Sequence, residues 1–209
     1  MPPRVGGVVL AAGAGRRMGF RPKALLLRDG EPLLLRQVRL LALAKVAPIV
    51  VVLGHHAEQL RPVLEQSAFG AATRIVTNPA PDVGPASSLR CALAVLPSAL
   101  DAVLVVLGDQ PLLELGDIEA VLNAWRWRAE GMELVVPVHG NAPGHPLALG
   151  ETVRAAVEGG EPVRDWRRNH PEQVQALRAP HVRYTTDVDT PEAMDRLAQE
   201  HGVTLAWDA

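Results

Sequence analysis

The chain has 209 residues, a formal net charge of −2, and 48% hydrophobic residues. At roughly 100–200 residues per domain this length suggests one domain able to bury a sizeable core, and the near-neutral balance excludes a bulk basic field for nucleic acid. The single cysteine, Cys91, excludes an internal disulfide and any multi-cysteine metal site. The opening Met-Pro-Pro-Arg-Val-Gly-Gly lacks the apolar run of a secretory leader. No apolar stretch approaches the roughly 20 residues of a membrane helix. The expectation is a cytoplasmic protein with neither membrane nor nucleic acid as partner.

In chain order, Val8–Ala11 reads as a first strand and Leu33–Ala44 has helical spacing. Ile49–Leu53 is a continuous aliphatic run, the pattern of a strand buried on both faces. Ala57–Gln66 is helical, Arg74–Thr77 a short strand, and Ala86–Leu96 a helix with Pro85 in its permissive first turn. Val103–Leu107 is another buried strand, ending at Gly-Asp-Gln-Pro; Leu115–Glu130 makes the longest helix and Glu133–Val138 a strand. Glu151–Glu158 and Val163–Arg168 read as helices, Val182–Thr186 as a strand, and Pro191–His201 as a C-terminal helix. Alternating β and α segments predict an α/β fold, a single-domain three-layer α/β/α arrangement of Rossmann-like kind around a mostly parallel sheet.

Leu-Ala-Ala-Gly-Ala-Gly-Arg-Arg-Met-Gly-Phe-Arg-Pro-Lys, residues 10–23, follows the first strand. A glycine-rich turn there exposes backbone N–H groups to phosphate. The dinucleotide fingerprint wants glycines at 0, +2 and +5, but Gly13, Gly15 and Gly19 fall at 0, +2 and +6. The Walker loop needs Gly-Lys-Ser/Thr, but Lys23 lies between Pro22 and Ala24. Neither phosphate cradle matches. What is left is a glycine loop carrying Arg16, Arg17 and Lys23, which suits a triphosphate reacting at the loop itself. A surface turn with solvated basic residues is the alternative.

Further along, Gly108-Asp109-Gln110-Pro111 ends a central strand, where ligands bind in open α/β sheets. Asp109 is suited to holding Mg²⁺ against a triphosphate, since magnesium favours one or two carboxylates plus phosphate oxygens; an Asx turn before proline explains it as well. In Asp187-Val-Asp189-Thr-Pro-Glu192, Asp189 or Thr190 would cap the last helix. Ser87 and Ser88 serve either as helix-start caps or as donors to a nucleotide. His55-His56 is not a metal pair, because adjacent turn residues rarely aim at one ion. Trp125 and Trp127 lie two apart and share no helix face, which rejects a nucleic-acid surface.

The loop pattern Leu-Ala-Ala-Gly-x-x-x-Arg-Met-Gly-x-x-Pro-Lys resembles the signature of the MobA/MocA-like nucleotidyltransferases, closest to the MocA-type molybdenum cofactor cytidylyltransferases. The short segments Gly84-x-x-Ser-Ser-Leu, Gly-Asp-Gln-Pro, Gly144-His145-Pro146 and Asp-x-Asp-Thr-Pro-Glu fall in family order. That resemblance implies nucleotide binding by Ala12, Gly13, Ala14, Gly15, Gly84, Ser87 and Ser88. It implies catalytic charge on Arg17 and Lys23, Mg²⁺ on Asp109 and Asp189, and an acceptor near Gly144 and His145. The implied reaction moves a nucleoside monophosphate from CTP to a phosphorylated acceptor, the molybdopterin cofactor, and releases pyrophosphate. A molybdoenzyme would be the transient protein partner. A sugar- or alditol-phosphate nucleotidyltransferase and a non-catalytic cofactor carrier for molybdenum hydroxylases are the alternatives. Two departures bear on the acceptor: Pro143 stands where arginine is usual, and Gly160-Glu161-Pro162-Val163-Arg164 replaces a Gly-Asp-x-Gly-Ala-Arg segment.

Overall fold

The computed structural model describes residues 3–208. Strand β1 (Val5–Ala11) runs into the glycine-rich loop, which winds through two single 3-10 turns, Arg16–Met18 and Lys23–Leu25. Two short strands, β2 (Leu27–Arg28) and β3 (Glu31–Pro32), lead into helix α1 (Leu33–Leu43). Then β4 (Ile49–Leu53), α2 (Ala57–Glu65), β5 (Thr73–Thr77), α3 (Pro85–Leu93) and β6 (Ala102–Leu107) alternate. The next elements are α4 (Leu115–Arg126), β7 (Leu134–His139), β8 (Ala142–Pro143) and β9 (Leu147–Leu149). The chain closes with α5 (Glu151–Glu158), α6 (Val163–Asn169), β10 (Val174–Arg178), α7 (Pro191–His201) and β11 (Leu205–Ala206).

The main sheet has the order β10-β7-β9-β6-β1-β4-β5, with β8 paired to β7. β1 is central and parallel to both neighbours, Val9 facing Val51 of β4 and Val106 of β6. Only β9 and β8 run against the common direction. Side chains alternate between the two faces of a strand, and here both sets are apolar. Val8, Val50, Val52, Val103 and Val105 pack under α3, α5 and α6, whereas Val9, Val51, Leu53, Leu104 and Val106 pack under α1, α2 and α4. The result is the three-layer α/β/α fold expected from the alternation, with the sheet buried on both faces.

One expected strand is not a strand. Val182–Tyr184 forms a 3-10 turn, because the Thr185 and Thr186 hydroxyls and the Thr185 N–H all donate to the Val182 carbonyl oxygen. Hydroxyls that capture a nearby carbonyl compete with a ladder for it. The sheet edge is instead β10, parallel to β7 and half-buried, with a Val-Gln-Ala-Leu-Arg sequence too polar to stand out.

A third apolar cluster joins the C-terminal segment to the back of the glycine loop: Met18, Leu26, Leu33, Leu112, Val188, Leu197 and Leu205. β11 pairs antiparallel with β2, and the Arg21 guanidinium lies 3.8 Å above the Trp207 ring. The tail therefore grips the loop from its outer side.

The 181–184 turn is itself pinned by charge. Asp117, 1% exposed, caps α4 by accepting from the Glu114 N–H at 2.9 Å. Its second partner is Arg183, whose Nη2 donates to Oδ1 at 3.0 Å while Nε approaches Oδ2 at 2.9 Å. His181 stacks on Tyr184 with ring centroids 5.4 Å apart. The Tyr184 carbonyl oxygen then accepts from Gln110 Nε2 at 3.0 Å and from the His145 N–H at 2.8 Å. A buried carboxylate left without its cation is costly, about 3–5 kcal/mol for a fully buried pair. Arg183 is 38% exposed in its side chain and Asp117 keeps its cap, so Arg183→Met is expected to cost about 1–3 kcal/mol. Urea denaturation of the two proteins measures it.

Candidate active site

The glycine loop begins at the carboxyl end of β1 and folds back on itself. The Gly15 carbonyl oxygen accepts from the N–H groups of Met18 and Phe20, each at 2.9 Å. Gly15 has φ +63°, and a Cβ there would collide with the Arg21 carbonyl, so glycine is required by both conformation and space. At Gly13 the opposite holds: a Cβ would meet nothing, because that face of the loop opens onto the site. His56 Nε2 lies 3.0 Å from the Ala14 carbonyl oxygen and braces the loop from below.

Four charged groups from three widely separated stretches of the sequence converge beside this loop. Lys23 Nζ donates to Asp109 Oδ2 and, at 2.7 Å, to Asp189 Oδ1; Arg17 Nη2 donates to Asp189 Oδ2. Burial alone would lower the Lys23 pKa, but the two carboxylates outweigh it and hold the ammonium above its ordinary value. Burial raises the Asp109 carboxyl, with Asp187 and Asp189 adding to the rise and Lys23 opposing it. Burial acts upward on Asp189 too, but Lys23 and Arg17 prevail and keep it below the ordinary carboxylate value. Two cations and two carboxylates thus cancel within one small volume.

Asp109 is fixed by its neighbours in the Gly-Asp-Gln-Pro turn. Its carbonyl oxygen accepts from the Val188 N–H at 3.0 Å, which brings the Asp189 segment alongside. Gln37, on α1, donates to the Gln110 carbonyl at 2.7 Å, and both glutamines are buried. Gln110 is therefore the strut that ties the turn to Tyr184. That role had no signal in the sequence, because the partner is a backbone oxygen 74 residues away.

Three spaces line up along the carboxyl edge of the sheet. The first, about 380 Å³, is bounded by Gly13, Ala14, Gly15, Arg17, Lys23 and Asp189, with His55 and the Arg16–Asp82 ion pair (2.9 Å) at its rim. The second, about 250 Å³, lies between Ala12, Gly13, Gly84, Ser88 and Asp109. A third, about 430 Å³, extends from Gly84 and Leu10 to His145 and Arg164. Shared walls make them one groove.

The two serines divide in role. Asn78 Nδ2 donates to Ser87 Oγ at 2.8 Å and to Ser88 Oγ at 3.0 Å. Ser87 spends its own proton on the Gly84 carbonyl at 2.7 Å and so closes the first turn of α3. Ser88 lines the middle space, and its proton has no protein acceptor among the described residues. Asn78, directly before Pro79, was not singled out by sequence; its side chain sets the start of α3.

Gly144 packs against Tyr184 so tightly that a Cβ would strike the Tyr184 carbonyl. Its glycine identity is thereby explained without a ligand. His145 presents its ring to the third space, and burial pulls its pKa down to about 4. Of the remaining motifs, Trp125 is buried in the core and Trp127, just past the end of α4, is exposed. Because the folded chain takes up the His145 proton only near pH 4 and the unfolded chain takes it up near 6.5, stability drops as pH falls between those values. His145→Gln is expected to flatten that part of the stability–pH curve, measured by denaturation at pH 7, 6, 5 and 4.

Comparison with known proteins identifies the family and the fold. Residues 7–179 match the model of the MobA-like NTP transferase domain. A 2-C-methyl-D-erythritol 4-phosphate cytidylyltransferase of Streptomyces coelicolor is 31% identical over 206 residues, covering 96% of this chain and 69% of that protein. Among solved structures, Rv0371c from Mycobacterium tuberculosis H37Rv superposes with a TM-score of 0.77 at 25% identity, covering 95% of this chain and all of that one. A complex of Rv0371c with manganese superposes with a TM-score of 0.71 at 24% identity, over 94% of this chain and 98% of that one. The chain belongs to the MobA-like NTP transferase family and is a nucleotidyltransferase.

Proposed function

We propose that this enzyme transfers the cytidylyl group of CTP to the phosphate of an acceptor of the molybdopterin type, releasing pyrophosphate. The observation that carries the reading is the Lys23 ammonium held between Asp109 and Asp189 beside an open glycine loop. The cytidylyltransferase relative supports cytosine as the base.

An acceptor phosphate oxygen forms the new bond to the α-phosphorus, and the bond from that phosphorus to the bridging oxygen of pyrophosphate breaks. The attacking group is already ionised, so no protein base or nucleophile is needed; catalysis rests on placement and charge stabilisation. In this reading the N–H groups of Gly13 to Gly15 meet the triphosphate in the first space, and Ala12 and Ser88 meet the nucleotide in the second. Arg17 and Lys23 neutralise charge that grows on the non-bridging and leaving oxygens.

A divalent ion fits the same residues. Asp109 and Asp189 are hard oxygen donors that already close around one cation, the Lys23 ammonium. Magnesium takes one or two carboxylates and completes its shell with phosphate oxygens and water. These two residues would hold it, and its charge would draw the triphosphate oxygens together; that Rv0371c, a neighbour of the same fold, forms a complex with manganese supports a divalent ion. With the carboxylates on the ion, the Lys23 ammonium would be left to the phosphate oxygens. A second reading, a polyol-phosphate cytidylyltransferase, is favoured by the identity of the Streptomyces relative. It uses the same nucleotide half of the site and differs in the acceptor.

Lys23→Ala is expected to lower kcat by about 10²–10³, the effect of losing one preorganised charge-stabilising donor. Pyrophosphate release from CTP in the presence of molybdopterin is the assay, and a near-wild-type kcat would sink the role of Lys23. Asp109→Asn is expected to abolish metal-dependent turnover while leaving the circular dichroism spectrum intact. An unchanged magnesium titration curve would reject Asp109 as a ligand.

A further inference from the structure

Between the Asp109 turn and helix α4, residues 110–113 are buried but belong to no helix or strand. Buried carbonyl groups need donors, and three of these take theirs from side chains of one distant unit. Gln37 donates to the Gln110 carbonyl at 2.7 Å, Arg28 Nη1 to the Pro111 carbonyl, and Arg36 Nη2 to the Leu113 carbonyl at 3.0 Å. Both guanidinium groups then meet on Glu114 Oε1, Arg36 at 2.9 Å and Arg28 at 3.1 Å. The donors come from β2 and α1, the direct continuation of the loop that carries Lys23.

Two such arginines side by side are unfavourable in themselves. Arg36 is 7% exposed and the Arg28 side chain 16%, and burial and the neighbouring Arg28 guanidinium both act against the charge on Arg36. What they provide is a bond between two arms of the site. Arg28 follows Lys23 by five positions, and Pro111 follows Asp109 by two. The Arg28–Pro111 hydrogen bond therefore closes a ring whose opposite side is the Lys23–Asp109 ion pair. In the ligand-free protein the two contacts do the same work. They part company once Asp109 takes a divalent ion and Lys23 serves phosphate oxygens. Among the described residues, of the side-chain bonds joining residues 16–28 to residues 108–114, those of Arg28 are then the ones that remain.

We infer that Arg28, seconded by Arg36, is a positioning residue for nucleotidyltransfer: it holds Lys23 and Asp109 in register in the loaded site, after their own ion pair has been exchanged for metal and triphosphate. Arg28 acts from outside the groove, whose lining it does not join. The inference rests on the nucleotidyltransfer reading above and extends the machinery to a side chain that acts through the backbone behind Asp109.

The test is calorimetry of the full chain with CTP and magnesium, alongside urea denaturation of the ligand-free protein. A side chain that stabilises free and loaded protein alike lowers the urea midpoint and leaves Kd unchanged; Kd moves only where the bond matters more in the loaded state. Arg28→Met keeps the apolar stem and is expected to weaken binding of CTP with magnesium about tenfold or more, the scale of losing support behind a metal ligand. Arg28→Lys carries the test if the methionine variant does not fold. One ammonium replaces the fork that spans Pro111 and Glu114, and Kd is expected to rise several-fold. Arg39→Met is the control: Arg39 donates to Glu31 at 2.7 and 2.6 Å and makes no bond to residues 110–114 among the described residues, so Kd is expected to stay within about twofold. A Kd within about twofold of wild type in both Arg28 variants overturns the inference and leaves nucleotidyltransfer standing. An equal loss in Arg39→Met also overturns it, because any ion pair removed from the cluster would then disturb the site. Absence of CTP binding by the wild-type chain removes the underlying reading and the inference together.

Discussion

Lys23, near the start of the sequence, is held between two carboxylates, one from the middle of the chain and one from near its end, and the arrangement of the site depends on that contact. Asp109 follows the central strand β6, Asp189 sits before the last helix, and Lys23 lies in the loop after β1. A partly buried ammonium between two partly buried carboxylates is strongly constrained, because separating any one of them leaves charge in a poorly solvated place. The same requirement explains the surrounding struts. Gln37, Gln110 and the Tyr184 carbonyl fix the Asp109 turn, and the Val188 N–H ties the Asp189 segment to it.

The sheet supplies the platform on which this is possible. β1, β4, β5 and β6 all run the same way, so the segments following them open on one edge, where glycine loop, His55-His56, α3 and the Gly-Asp-Gln-Pro turn meet. Close packing of valines on both faces makes that edge rigid. The C-terminal tail adds a brace from outside through β11 and Trp207, and it also carries Asp189. This tail lies beyond the stretch matched to the family model, so the loop and one of its two carboxylates depend on a segment outside that stretch.

Along the groove, polarity changes from one end to the other. Arginine, lysine and exposed amides line the phosphate end; aliphatic side chains and a neutral histidine line the far end. The two ends therefore offer different physics to whatever they bind, electrostatics at one and apolar contact at the other. Asp109 lines the space between them.

The sequence alone determined the alternation of strands and helices, since buried parallel strands must be continuous aliphatic runs such as Ile49–Leu53 and Val103–Leu107. It also exposed the glycine loop and its density of cations. It misread Val182–Thr186, where threonine hydroxyls capture a carbonyl and turn the chain, and it passed over the half-polar edge strand β10. Only the tertiary structure decided which charges pair, that Ser88 and not Ser87 faces the groove, and that Gly144 is required by the approach of Tyr184. These are contacts between residues tens to more than a hundred positions apart. Sequence pattern reports what a residue is and what stands three or four places away; the distance across a folded sheet is set by packing, and packing chooses the partners.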